Sequence, residues 1–203
     1  MKYRRKELTK TESRRIAILL LNAVVIAGIT AGSLMAVKMN IAEFSQNPWL
    51  HQYFNPVYSG NTVLEVFKNT LYPMTLYLTA VFVLGFCSVG QPVAVALLIY
   101  KGMGIGLSAG AMYVASGAQA IIPVIALVVP KALAVTFIAV LSARESMRLS
   151  GAQLGFLFRQ KIPEEKMSNT LKLYCIKFIV LMLFAVAEAV ADSLMNYIFI
   201  DLY

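Results

Sequence analysis

Histidine occurs once in this chain, at His51, and cysteine twice, at Cys87 and Cys175. No C-x-x-C and no H-E-x-x-H spacing is present, which leaves neither a metal cluster nor a disulfide framework to build on. The two cysteines read as ordinary apolar thiols near the ends of apolar runs. No G-x-x-x-x-G-K-[ST] phosphate loop occurs either, so any coupling to ATP would need a second chain. No residue is therefore assigned a catalytic, cofactor-binding or metal-ligating role. Charge is scarce as well: 14% of residues are Asp, Glu, Lys or Arg, against about 25% in soluble domains.

Apolar residues fill the remainder. They make up 59% of the 203 residues, and the mean hydropathy is +0.72. Five apolar runs approach the length of about 20 residues that a helix needs to cross hydrocarbon. They cover residues 16–37, 71–89, 93–115, 119–141 and 176–200. The expected fold is all-α: a polytopic membrane helical bundle, one integral membrane domain over residues 1–203. Pro73 and Pro92 stand at the starts of the second and third runs, where a missing N–H is tolerated. Pro163 with Glu164 and Glu165 marks a further helix start, with acids suited to the positive end of the dipole. The last helix is thus expected to begin as a stalk before it reaches the membrane.

Orientation follows from the basic residues. Lys2, Arg4, Arg5, Lys6, Lys10, Arg14 and Arg15 lie in the first 15 residues. Arg144, Arg148, Arg159, Lys161, Lys166 and Lys172 lie within residues 142–175, read as a basic loop and helix stalk. The 39–70 segment has only Lys38 at its edge and Lys68, balanced by Glu43 and Glu65. The positive-inside rule places the N-terminus and the 142–175 segment in the cytoplasm, and with five spans the C-terminus faces out. The net charge of +8 is a topology signal and a contact for anionic lipid, not a nucleic-acid surface. Arg14 and Arg15 resemble a twin-arginine export signal only faintly, and the run that follows exceeds a signal-peptide core, so an uncleaved first span is expected.

Trp49, Tyr53, Phe54 and Tyr58 fall in the outer loop, either as an aromatic belt at the interface or as a docking surface for an extracytoplasmic partner. On the inner side, "AQLGFLFRQ" at residues 152–160 has the alternation of a short interfacial helix.

The densest information lies in "IYKGMGIGLSAG", residues 99–110. Gly102, Gly106 and Gly110 are four apart and share one helix face; Gly28 and Gly32 repeat the device in the first run. Small residues at this spacing let two backbones approach closely in lipid. Gly104 is off that stripe, and four glycines in nine residues suggest local unwinding of the third span. Pro123 and Pro130 predict kinks in the fourth. The loose dinucleotide fingerprint "GIGLSA" follows an apolar span instead of a strand and is set aside.

Four charges lie deep inside the apolar runs: Lys101, Lys131, Glu188 and Asp192, with Lys177 at the entry of the last. Each costs about 2.5–3.5 kcal/mol at a helix centre, so they are expected to meet in a polar cluster. Counted along their helices, Lys101, Lys131 and Glu188 come to similar depths, about 12–16 Å, which predicts a Glu188 pair with one of the lysines. Asp192 is one turn further out. Both acids lie on the last span, so no carboxylate dyad from two helices is in view. The cluster reads either as a device that fixes helix register or as part of an ion or proton path.

Taken in order, these features resemble the stage II sporulation protein M family. "GQPVAVALLIYKGMGIGLSAG" (residues 90–110) resembles its third span, "VVPKALAV" (residues 128–135) its proline-containing fourth, and "LFAVAEAVADSLM" (residues 183–195) its last. Lys101, Gly102, Gly106, Gly110, Pro130 and Glu188 match that pattern; Lys131 and Asp192 are not part of it. The resemblance implies a non-enzymatic scaffold in the bacterial cell membrane, at the septal or engulfing membrane of a spore former. It further implies extracytoplasmic wall-hydrolase partners, the D and P proteins of the same sporulation stage, that remodel peptidoglycan during forespore engulfment. The alternative is a membrane subunit of a channel or transporter, with the polar cluster on its path. A homo-oligomer is compatible with either; nucleic acid is not an expected partner.

Overall fold

The computed structural model describes residues 2–38, 63–87, 90–159 and 164–202. Among them there is no strand. Five long helices account for nearly all: α1 (Lys2–Lys38), α2 (Val63–Gly85), α3 (Gly90–Ser116), α4 (Val129–Arg159) and α5 (Glu164–Leu202). Trp49, Tyr53, Phe54 and Tyr58 lie outside the described residues.

Three stretches are long and apolar enough to cross a membrane: Arg15–Lys38 in α1, Gly90–Val114 in α3 and Asn169–Ile198 in α5. A fourth is the broken pair Gly117–Ala126 and Val129–Leu154, bent by 53°. The second expected run does not reach that level. Its helix starts at Val63 and ends at Gly85, not at residue 89. Pro73 is therefore inside α2, not in its first turn. Val66, Thr70, Met74, Tyr77, Leu78, Val81 and Gly85 form one buried stripe, and that packing outweighs the roughly 3 kcal/mol that an interior proline costs.

The expected interruption of the third span is absent. α3 runs unbroken through Gly102, Gly104, Gly106 and Gly110 and stops at Ser116, where Gly117 takes φ +57°. A residue at positive φ closes a helix C-terminus, and glycine adopts it without Cβ strain. The fourth span is interrupted as expected. A 3₁₀ turn (Gly117–Ala120), one helical turn (Ile121–Pro123) and a π turn (Val124–Val128) precede α4. Pro130 then lies in the first turn of α4, not mid-helix. Its missing N–H and its ring next to the residue 126 carbonyl fit the widened turn before it.

α4 continues to Arg159, so residues 142–159 are helix rather than loop, and the 152–160 segment is no separate interfacial helix within its described part. α5 begins at Glu164, as the acid pair predicts.

α1 lies chiefly along α3, and α2 along α5, while α4 touches all four. Met74, Leu78, Val81, Leu98, Ala139, Ala143, Leu149 and Ala185 pack at the centre. The periphery is the reverse of a soluble fold. Leu19, Leu20, Leu133, Phe137, Ile179, Leu183 and Phe184 are all more than half exposed, whereas Ser142, Ser146 and Ser150 are fully buried. Exposed apolar surface on this scale, with polar groups inside, needs an apolar solvent around it.

Candidate functional site: a polar cluster inside the bundle

α1 and α3 meet backbone to backbone. A Cβ on Gly28 would lie 2.6 Å from the Ile99 carbonyl oxygen and 3.2 Å from the Gly102 Cα; one on Gly102 would lie 2.7 Å from the Val25 oxygen. Gly32 is pressed against the Met103 carbonyl, Gly106 against that of Ile29, and Gly110 against Ala36. The five expected packing glycines thus line one seam. Ser33 adds a polar stitch, its Oγ within 3.0 Å of the Ile29 oxygen and 3.2 Å of the Gly106 oxygen. In lipid such a seam is held by dispersion and hydrogen bonds, since no water is released. Gly104 faces away from this stripe by spacing but is itself buried, and its carbonyl accepts a hydrogen bond from Ser108 at 3.0 Å.

The seam fixes α3 and with it Lys101. The ammonium lies 5.5 Å from the centroid of the Tyr77 ring on α2, within reach of a cation–π attraction. The Tyr77 hydroxyl donates to the Ala139 carbonyl on α4 at 3.4 Å.

The pairing of the four charges differs from the sequence expectation. Lys131 binds Asp192, not Glu188: its Nζ is 2.7 Å from Oδ2. Thr70 on α2 completes the group. Its hydroxyl donates to Asp192 Oδ2 at 2.6 Å and accepts from Lys131 Nζ at 3.2 Å. Asn196, only 1% exposed, donates to the Asp192 main-chain carbonyl at 3.0 Å. Three helices are tied at this one point.

A second ion pair explains the shift. Glu145 on α4 accepts from Lys177 on α5 at 2.7 Å, with Arg148 at 3.4 Å. From Glu145 back to Lys131 is fourteen residues, about 21 Å along a helix; from Lys177 to Asp192 is fifteen, about 22 Å. The two antiparallel helices are therefore pinned twice in one register. Depth counted from residue 141 placed Lys131 too shallow, because α4 runs past that point as helix. Nearby, Ser150 donates to the Cys87 carbonyl at 2.8 Å and Gln91 to the Met147 carbonyl at 3.3 Å. Tyr174 donates to the Phe82 carbonyl at 2.9 Å and stacks on the Phe82 ring. This end of the bundle is closed by side chain to main chain bonds, which carry no signature in residue spacing.

Glu188 is left over. It is 7% exposed, and neither carboxyl oxygen has a hydrogen-bond partner among the described residues. Lys131, Asp192 and Lys101 all act on it electrostatically. The four charges do not form one bonded group: Lys131, Asp192, Thr70 and Asn196 are tied together, while Lys101 lies against Tyr77 and Glu188 has no hydrogen-bond partner among the described residues. Thr70 and Asn196 were not singled out in the sequence; the i, i+4 relation of Asn196 to Asp192 was the available signal.

No group of three or more His, Cys, Asp or Glu capable of holding a metal occurs among the described residues. Cys87 and Cys175 are free thiols.

Apolar outside, polar inside, with three or four helices fit to cross a bilayer, the chain has the build of a multi-pass helical membrane protein. Compared with known protein families, curated proteins and solved structures, it matches none.

Proposed function

We propose that the chain is a non-enzymatic membrane scaffold of five spans in a bacterial cell membrane, N-terminus inside and C-terminus outside, of the kind the stage II sporulation protein M family resembles. The observation that carries this reading is the fit of the α1–α3 seam to the glycine pattern of the third span. Three of the residues that carry the resemblance, Gly102, Gly106 and Gly110, fix one helix against another. The Lys131–Asp192–Thr70 group supports it, because three helices are held by charges that satisfy one another.

α2 serves as the fifth span. Its 23 residues reach about 34 Å, its buried stripe faces the core, and Tyr72, Leu76 and Val83 are turned outward. The partners are wall hydrolases that remodel peptidoglycan, met on the outer side through the 39–62 segment.

Purification from native membranes in mild detergent, followed by identification of co-purifying proteins, tests this. Extracytoplasmic wall hydrolases are the expected company. Recovery of an ATPase subunit in their place would overturn the scaffold and favour a transporter component.

A further inference from the structure

Glu188 is the one acid of the cluster whose side chain has no hydrogen-bond partner among the described residues. It sits eleven residues along α5 from Lys177, about 16 Å, near the middle of a roughly 30 Å hydrocarbon layer. Lys101 sits ten residues along α3 from Gln91, which bonds to Met147 at the same end of the bundle, so it too lies about 15 Å deep. The two groups share a level. Yet the Lys101 ammonium rests on the Tyr77 ring rather than on the carboxylate.

A bare carboxylate with no hydrogen bond is far costlier in an apolar interior than the neutral acid. Lys131 cannot serve it well, since its ammonium is already bonded to Asp192 and Thr70. The charged groups near enough to act on Glu188 are Lys101 on α3, Lys131 on α4 and Asp192 on α5 itself. α2 contributes Thr70 to the Asp192 group and Tyr77 to the seat of Lys101. Of these groups only Lys101 has a long, flexible stem with no ion pair or hydrogen bond among the described residues.

We propose that Glu188 is an intramembrane proton-binding site gated by Lys101. With the ammonium against Tyr77, the carboxyl holds a proton. When the Lys101 stem swings across, the carboxyl O–H bond breaks, its electron pair stays on oxygen, the proton passes to water, and the ammonium becomes the counter-ion. The two arrangements differ by one rotamer change and one proton. This inference stands apart from the scaffold reading and does not depend on which partners bind.

The test uses the full chain in lipid nanodiscs and a hydrophobic carbodiimide, which modifies protonated carboxyls in apolar surroundings. Mass spectrometry of the peptide containing Glu188 is expected to show the adduct at mildly acid pH, with loss as the pH rises. Glu188→Gln is expected to remove the adduct. Lys101→Met is expected to retain it to a proton concentration about tenfold lower, because the ionised form has lost its counter-ion. Infrared difference spectra of the unlabelled protein give a second readout: a carboxylic-acid carbonyl band that vanishes in Glu188→Gln. Absence of both adduct and band across the whole pH range would overturn the site. An adduct whose pH dependence is identical in Lys101→Met and the parent would overturn the gate.

Discussion

Gly106→Leu puts the α1–α3 seam to the sharpest test. A Cβ at Gly106 runs into the Ile29 carbonyl oxygen, with the Ile29 carbonyl carbon at 2.8 Å and its Cα at 2.9 Å. All three atoms are helix backbone and cannot rotate away, so the helices must part. Moving the carbonyl carbon alone to an ordinary 3.4 Å contact takes about 0.6 Å. Both helices are stiff, so the opening spreads along Gly28, Gly32 and Gly102. A gap of this size forfeits about a quarter to a half of the dispersion energy at each atom pair. Overpacking of this kind costs about 1–3 kcal/mol, and a leucine stands at the upper end. Loss of a helical glycine returns up to about 1 kcal/mol. The net expectation is a destabilisation of about 2 kcal/mol, or about 4–8 °C for a chain of this length. Ala96→Leu is the control, since Ala96 is on the same helix and exposed. The assay is the temperature at which the purified protein leaves its monodisperse peak on size exclusion in mild detergent. If Gly106→Leu falls within about 2 °C of Ala96→Leu, the seam does not carry the stability assigned to it.

Lys131→Met is expected to lower the folded fraction in membranes sharply, because one survivor of a broken buried pair costs about 3–5 kcal/mol. Adding Asp192→Asn should recover much of that loss, and strictly additive losses in the double-mutant cycle would refute the pair. A reporter fused after Tyr203 is expected to be active only outside the cytoplasm; activity inside would mean an even number of crossings or a reversed orientation.

What the sequence conveyed and what it concealed follow from the range of each interaction. Spacing of four along α1 and α3 is a local property, and Gly28, Gly32, Gly102, Gly106 and Gly110, singled out by it, lie along the α1–α3 seam. The acids after Pro163 likewise announced the start of α5. The partner of Lys131 is not local. It depends on where α4 and α5 are pinned, and Glu145, whose pair with Lys177 sets this register, falls beyond the 119–141 run used to count depth. The glycine-rich stretch suggested an unwound third span because propensity was weighed without the partner helix. Against α1, those glycines are filled by main-chain atoms and the helix stays whole. Pro73 misled for the same reason, since the buried stripe of α2 continues across it.

The seam joins residues far apart in time as well as in sequence. Gly28 meets Gly102, and at a synthesis rate of about 5–20 residues per second the ribosome needs about 4–15 s to supply the second after the first. Through that interval α1 stands in the bilayer with its groove unfilled. It survives there because its own hydrogen bonds satisfy its backbone. Lys131 faces a harder wait, since its counter-charge at Asp192 is about 60 residues behind it on the nascent chain. The final helix, α5, is thus the clasp of the molecule: only its arrival neutralises Lys131 on α4. A chain released before residue 192 would have its seam closed and its cation uncompensated.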